Sequence, residues 1–280
     1  AAKRMIVTGF CCRDADGRVT TPGRNGSDFA ATIMAALLDA DAVHIWTDVA
    51  GVLSADPARV PQAEVVEHLS YAEAFELAYF GARVLHPQTL APVLARNIPV
   101  RIRSTRAADA AGTLIDRGGS GTPPVKGVSC IDGLALVNIE GAGMLGVPGT
   151  AERVFETLNR AGISVTMISQ GSSEHSICCV LPAVEGARAR GLLEEEFERE
   201  TRSGQLQRVT LQPDIDVLAV VGDGMAGAPG VAGRVFSALG RAGVNVRAIA
   251  QGSSERNISV AVDAAAATRA LRAVHLAFYL

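Results

Sequence analysis

Three short segments in the first hundred residues carry side chains that could do chemistry. The first, Gly23-Arg24-Asn25-Gly26-Ser27-Asp28, runs into a stretch of small apolar residues. Gly23 and Gly26 let the backbone turn tightly and a ligand come close. Ser27 is placed to cap a helix, with Asp28 in its first turn. Free N–H groups and the helix dipole at such an end make an anion site. Arg24 adds a forked cation for a carboxylate or phosphate. The same residues also read as a well-capped helix after a polar turn, with no ligand. The second segment, from Trp46-Thr47-Asp48 through Gly51 to Ser54-Ala55-Asp56-Pro57, leaves the end of an apolar strand. Open α/β sheets collect their ligands at such ends. Its two carboxylates and two hydroxyls could hold a metal–nucleotide or a ribose, or the segment is a solvated loop. In the third, Phe80 to Pro87, Arg83 is a candidate phosphate contact, and His86 before Pro87 reads as structural rather than catalytic.

What is missing narrows the chemistry. No GxxxxGK[ST] exists, which excludes a P-loop. The only lysines are Lys3 and Lys126, outside all three segments. Any phosphate handled there must meet arginine, backbone N–H groups or a metal. No zinc-ligand spacing occurs, so no protein metal ligands are assigned.

These segments need elements to hold them. Met5–Phe10 reads as a strand, Ser27–Ala40 as a helix and Ala42–Thr47 as a strand with Val43 and Ile45 on one face. Tyr71–Phe80 and Gln88–Ala95 read as helices and Pro99–Arg103 as a strand. Strands alternating with helices predict an α/β layer structure. A Gly-, Ser- and Pro-rich joint follows at Asp116–Pro124.

Beyond it lies an internal repeat. Val147–Ile177 and Ala228–Ile258 stand 81 residues apart and agree at 18 of 31 positions. The strands before them, Leu134–Gly141 and Asp216–Gly222, match too. Each copy reads strand, Gly-rich turn, helix, strand, turn, strand. Pro148 and Pro229 suit a first helical turn. Val154, Phe155 and Leu158 share a helical face, as do Val235, Phe236 and Leu239. Gly162 and Gly243 sit where helices end. Such a unit packs its helix on one face of an antiparallel sheet.

Bulk properties limit the partners. A formal charge of −3 argues against nucleic acid. No apolar run reaches the roughly 18 residues of a membrane-spanning helix, and Ala1–Val7 lacks the apolar core of a signal peptide. Five cysteines in two adjacent pairs plus one make a poor disulfide framework. The expectation is a cytoplasmic protein with reduced thiols.

Taken together, GRNGSDFA at 23–30, IWTDVAGVLSADP at 45–57, AYFGARVLHP at 78–87, NIPVRI at 97–102 and GTLI at 112–115 resemble aspartate kinases in order and spacing. Asn25, the loops SQGSSEHSI and AQGSSERNI, and the tail RAVHLAFYL resemble the fused aspartokinase–homoserine dehydrogenases. The resemblance implies transfer of the γ-phosphate of ATP, with Mg²⁺, to the side-chain carboxylate of L-aspartate. By matching position, Arg24 would bind the substrate carboxylate, and Ser27 and Asp28 would order the substrate and phosphoryl group. Thr47, Asp48, Leu53 and Asp56 would line the nucleotide pocket with Arg83, which stands where the family usually has lysine. The family's opening KFGGTS segment has no counterpart in these residues, so the expectation is that they do not make aspartyl phosphate alone.

The repeats resemble ACT domains, ferredoxin-like βαββαβ units that pair and bind amino acids. The resemblance implies the C-terminal half of a kinase domain over 1–118, a first ACT unit over 132–213, and a second over 122–131 plus 214–280 into which the first is inserted. Val125–Cys130 would supply the second unit's fourth strand, Gln207–Leu211 would close the first, and Ala264–Phe278 would be helical. It places an effector at Met144, Leu145, Gly146, Gln170 and Ser172, and in the second copy at Met225, Gln251 and Ser253. Threonine is the favoured effector and lysine the alternative, in a homodimer formed through the ACT units. A competing reading is an amino-acid-sensing or dimerisation module without kinase activity.

Overall fold

In the computed structural model, described for residues 4–23, 25–81, 84–144, 149–171 and 175–279, the chain divides into two units. The first holds residues 1–129 and 221–228, the second 130–220 and 229–280.

In the first unit, β1 (Cys12–Arg13) pairs with β2 (Val19–Thr20) as a short exposed hairpin. Residues 4–10 form no strand, unlike the sequence expectation, and Met5, Ile6, Val7 and Phe10 are exposed. Alternating apolar residues make a strand only where a neighbour takes their backbone groups, and among the described residues none does. α1 (Gly26–Leu38) is rich in alanine, which suits a helix. It packs on the helix Pro87–Leu94 and the strand Val43–Thr47. β3 (Val43–Thr47) buries Val43 and Ile45 and exposes Trp46, as its alternation predicts.

β4 (His68–Ser70) turns directly into α2 (Tyr71–Tyr79) through a capping box. Ser70 Oγ accepts from Glu73 N–H, and Glu73 Oε2 accepts from Ser70 N–H at 2.8 Å. α3 (Pro87–Leu94) is capped by His86, whose Nδ1 accepts from Gln88 N–H at 3.3 Å, so His86 has the structural role expected of it. β5 (Val100–Ser104) and β6 (Thr113–Asp116) complete a sheet ordered β3-β5-β6-β4. β3 and β5 are parallel, as are β4 and β6, with an antiparallel step between β5 and β6.

Two 14-residue strands, β7 (Gly127–Glu140) and β10 (Arg208–Val221), carry the second unit, with Gly127–Ser129 and Val221 counted in the first. Gln207 N–H donates to Glu140 O at one end, and Lys126 N–H to Val221 O at the other, so the pair is antiparallel. The first copy adds α4 (Thr150–Arg160), β8 (Met167–Gln170) and β9 (Ser176–Pro182), followed by α5 (Ala183–Glu196) and α6 (Glu198–Arg202). The second adds α7 (Val231–Arg241), β11 (Val246–Gln251), β12 (Asn257–Asp263) and α8 (Ala264–Tyr279). The sheet order is β11-β12-β10-β7-β9-β8.

The sequence predicts separate strands at Val125–Cys130 and Leu134–Gly141, and at Gln207–Leu211 and Asp216–Gly222. Each pair is instead one strand. The chain passes from one copy to the other at Gly133 (φ 75) and Asp214 (φ 56) without leaving the sheet, and Gly133 N–H donates to the buried Asp216 carboxylate at 3.3 Å. Val137, Ile139, Val154, Leu158, Ile177, Cys179, Leu181 and Leu193 form the core under α4 and α5. Gly162 (φ 69) and Gly243 (φ 64) follow the ends of α4 and α7 as expected.

Candidate functional sites

At the start of α1 the residue before the helix is Asn25, in left-handed conformation (φ 59) and without a side-chain cap. Ser27 is therefore not the cap that the sequence suggested. Gly26 N–H already finds Gly23 O, and the helix begins one residue earlier. Ser27 Oγ lies 3.4 Å from Asp28 Oδ1. Burial pushes the Asp28 carboxyl above its ordinary pKa, and the Ser27 hydrogen bond offsets part of that. Arg24 lies outside the described residues, as does Arg83.

The loop after β3 is held from below. Gly51 (φ 153) comes so close to β6 that a Cβ would stand 2.6 Å from Thr113 Oγ1. That hydroxyl accepts from Val52 N–H at 2.8 Å. Glu64 N–H donates to the buried Ser54 hydroxyl, and Leu53 bridges to Val65. Asp56 Oδ1 accepts from Ala58 N–H, and its carbonyl from Arg59 and Val60 N–H. Thr47 Oγ1 donates to Asp48 Oδ1 at 3.2 Å, and Thr47 O accepts from Thr105. Asp48 is exposed at the C-terminal end of the parallel β3–β5 pair, where an α/β sheet presents its ligands, and Asp56 is exposed further along the loop. Arg103 lies 4.8 Å over the Trp46 ring on the same two strands. Hydroxyls and carboxylates of this kind suit a ribose or a phosphate-bound Mg²⁺. Among the described residues, no hydrogen bond or ion pair joins Ser27 or Asp28 to Thr47 or Asp48.

In the second unit the first copy brings its Gly-rich turn and glutamine loop to one end of the sheet. Gly141 N–H donates to His175 O, Glu140 pairs with Ser176, and Gln170 pairs with Ile177. Met144 closes the single 3-10 turn Ala142–Met144 and is buried. Leu145, Gly146 and Ser172 lie outside the described residues. Gln170 ends β8 and is exposed; Gln251 ends β11, pairs with Ile258 and is exposed, with Ser253 in the exposed turn beyond. Ser169 Oγ donates to Ile249 O at 2.8 Å, so the two glutamine-bearing strands lie side by side. Met225 closes the matching turn, Asp223–Met225, which belongs to the first unit.

Other features escaped the sequence reading. Arg153 ties α4 to α5 and α6 through Glu196 and Glu200. A groove of about 430 Å³ between α4 and α5, lined by Thr157, Arg160, Arg188 and Glu195, contains none of the anticipated residues. Cys130, Asp132 and Asp216 place ligand atoms within 4.8 Å of one another. Cys130 Sγ donates to Asp132 and Asp216 accepts from Gly133, so this cluster reads as a hydrogen-bonded crossover. In the first unit Glu73 and Lys126 are fully buried. The Ser70-x-x-Glu73 spacing was the one signal that could have flagged Glu73.

Comparison with known proteins agrees with both halves. The amino acid kinase family model matches residues 1–104, and the ACT domain model matches 137–197 and 218–278. The chain is 48% identical to bifunctional aspartokinase/homoserine dehydrogenase 1, chloroplastic, of Arabidopsis thaliana over 286 residues, covering 100% of this chain and 31% of that protein. Among solved structures, Clostridium acetobutylicum aspartate kinase superposes with TM-score 0.83 at 31% identity, covering 96% of this chain and 62% of that one. Escherichia coli aspartokinase III with aspartate and ADP gives 0.80 at 32%, covering 97% and 60%. The same enzyme with lysine and aspartate gives 0.75 at 32%, covering 97% and 59%. This chain thus spans about a third of the length of the bifunctional relatives it matches.

Fold and matches define an amino-acid-kinase part joined to a pair of ACT units. The chain belongs to the aspartokinase family, and is similar to the aspartokinase portion of the bifunctional aspartokinase–homoserine dehydrogenases.

Proposed function

We propose that this chain is the sensing part, with the adjoining half of the kinase domain, of an enzyme that phosphorylates L-aspartate from ATP–Mg²⁺ and is inhibited by an end-product amino acid. One observation carries the sensor: the first copy's Gly-rich turn and Gln170 strand converge on His175–Ile177, where the exposed Gln170 amide offers a donor and an acceptor to an amino acid's carboxylate and ammonium. Threonine is favoured, because identity is 48% to a bifunctional enzyme and 32% to the enzyme solved with lysine. That lysine complex supports the alternative effector.

In the kinase part, Thr47, Asp48, Leu53 and Asp56 hold the nucleotide, with Arg83 on phosphate. Arg24, Ser27 and Asp28 address aspartate. The ACT copies have the inserted arrangement, the first within the second, which fits β7 and β10 each serving both. Ile168 and Ile249, exposed on the neighbouring strands β8 and β11, leave an apolar face that supports homodimerisation there. The 280 residues alone are expected to give no aspartyl phosphate.

Thermal unfolding with threonine, lysine and ATP–Mg²⁺ tests the reading. A ligand at a hundred times its Kd stabilises by about 2.7 kcal/mol, a shift of several degrees. Threonine should raise the midpoint at millimolar concentration. If neither amino acid moves it, the sensor reading fails.

A further inference from the structure

The two Gly-rich turns are copies in sequence but are anchored differently. In the first copy Gly143 N–H donates to Gln205 O, and a Cβ on Gly143 would stand 2.7 Å from Gln205 Cα, so the turn leans on its own unit. In the second copy Cβ atoms on Gly222 and Gly224 would collide with Pro124 O and Gly121 O, so that turn is wedged against residues 121–126. Where the first copy has Ala142, the second has Asp223. Where the first pairs Gln207 with Glu140, the second pairs Lys126 with Val221.

The Asp223 backbone meets a buried carboxylate that lies outside both repeats. Glu73 Oε1 accepts from Asp223 N–H at 2.7 Å, while its other oxygen accepts from Ser70 N–H at 2.8 Å. One buried carboxylate thus joins the turn of the second repeat to the junction of β4 and α2. Lys126 donates to Ser120 Oγ and Thr122 O. Burial pushes its ammonium below the ordinary lysine pKa, opposed by the charges of Glu73 and Asp223.

We infer that Glu73 is a relay between the Gly222–Met225 turn and the first turn of α2, so that a displacement of the second repeat's turn reaches the start of α2. Displacing the turn strains the Asp223–Glu73 bond. Glu73 then leaves the Ser70 cap, and α2 loosens at its start. The relay stands on contacts within the first unit alone; its use in regulation rests on the sensor reading above.

Hydrogen exchange on the 280-residue chain tests it without any ligand. Gly224→Ala pushes the turn off Gly121 and should speed exchange of the Tyr71–Ala74 amides about tenfold, the effect of one lost buried hydrogen bond. Gly143→Ala, the same change in the first copy, should leave those amides unmoved. Coupling is reciprocal, so Glu73→Gln should speed exchange at Asp223–Met225 while β5 keeps its protection. Should Gly224→Ala unfold the first unit, Glu73→Gln decides alone. Tyr71–Ala74 amides that ignore Gly224→Ala in a folded protein, or answer equally to Gly143→Ala, would overturn the relay. So would Asp223–Met225 amides that ignore Glu73→Gln. Calorimetry with threonine and lysine on the same samples judges the sensor reading separately.

Discussion

Replacing Arg153 with methionine should loosen the first ACT copy by about 2 kcal/mol at neutral pH, and by less in acid. The guanidinium donates to Glu196 Oε1 at 2.8 Å, to Glu200 Oε1 at 2.6 Å and to Glu196 O at 2.8 Å, and lies 4.4 Å over the Phe197 ring. The Arg153 side chain is 39% exposed, and the two carboxylates 29% and 25%. Charge-assisted bonds of roughly 1.5–3 kcal/mol each when dry are screened here to about 0.5 each, and the ring contact adds about 0.5. Methionine keeps apolar contact with Phe197, so the loss is mainly polar.

The pH dependence follows from Glu200. The hydrogen bond from Arg153 is the main cause that holds its carboxyl below the ordinary 4.5. A folded pKa below the unfolded one gives stability that is present above the unfolded value and is lost as pH falls through the folded value. The gap between wild type and Arg153→Met should therefore be full at neutral pH and close progressively below about 4.5. Urea unfolding followed by far-ultraviolet circular dichroism measures the gap. Trp46, the single tryptophan, lies in the first unit, so its fluorescence transition is an internal control. A gap that ignores pH, one under about 0.5 kcal/mol, or an equal shift in the Trp46 transition would refute the reasoning.

Thiol labelling should sort the cysteines by burial. Burial pushes the Cys179 thiol up to about 12 and raises that of Cys178, while Cys11 and Cys12 are exposed. Iodoacetamide near neutral pH should modify the latter two first, as peptide mapping would show. Gly51→Ala drives a methyl toward Thr113 Oγ1 and the Val52 N–H bond, so the 47–56 loop should shift and ATP–Mg²⁺ affinity should fall about tenfold by calorimetry. Leu158→Ala empties a fully buried site under α4 and should cost about 2–5 kcal/mol in urea unfolding of the second unit.

The layered first half and the repeated second half were legible in the sequence because their signals are local. Val43 and Ile45 alternate with polar neighbours, alanine fills α1, and Gly162 and Gly243 end helices as they should. Met5–Phe10 misled because a strand is made by its partner as much as by its own residues. Ser27 misled because Asn25 takes the left-handed position and starts the helix earlier. The continuity of β7 and β10 was hidden because Gly133 and Pro213 look like breaks, although both sit where the chain crosses between copies inside the sheet. The bond between Asp223 and Glu73 was invisible for another reason: its partners are far apart in the chain, and only folding joins them.

Titration calorimetry of threonine and lysine into the chain, with Gln170→Ala and Gln251→Ala beside the wild type, reaches the core of this account. Saturable heat from threonine in the wild type, abolished or weakened at least tenfold by Gln170→Ala, is the predicted result. No heat from either amino acid at millimolar concentration, or binding indifferent to both substitutions, would contradict it.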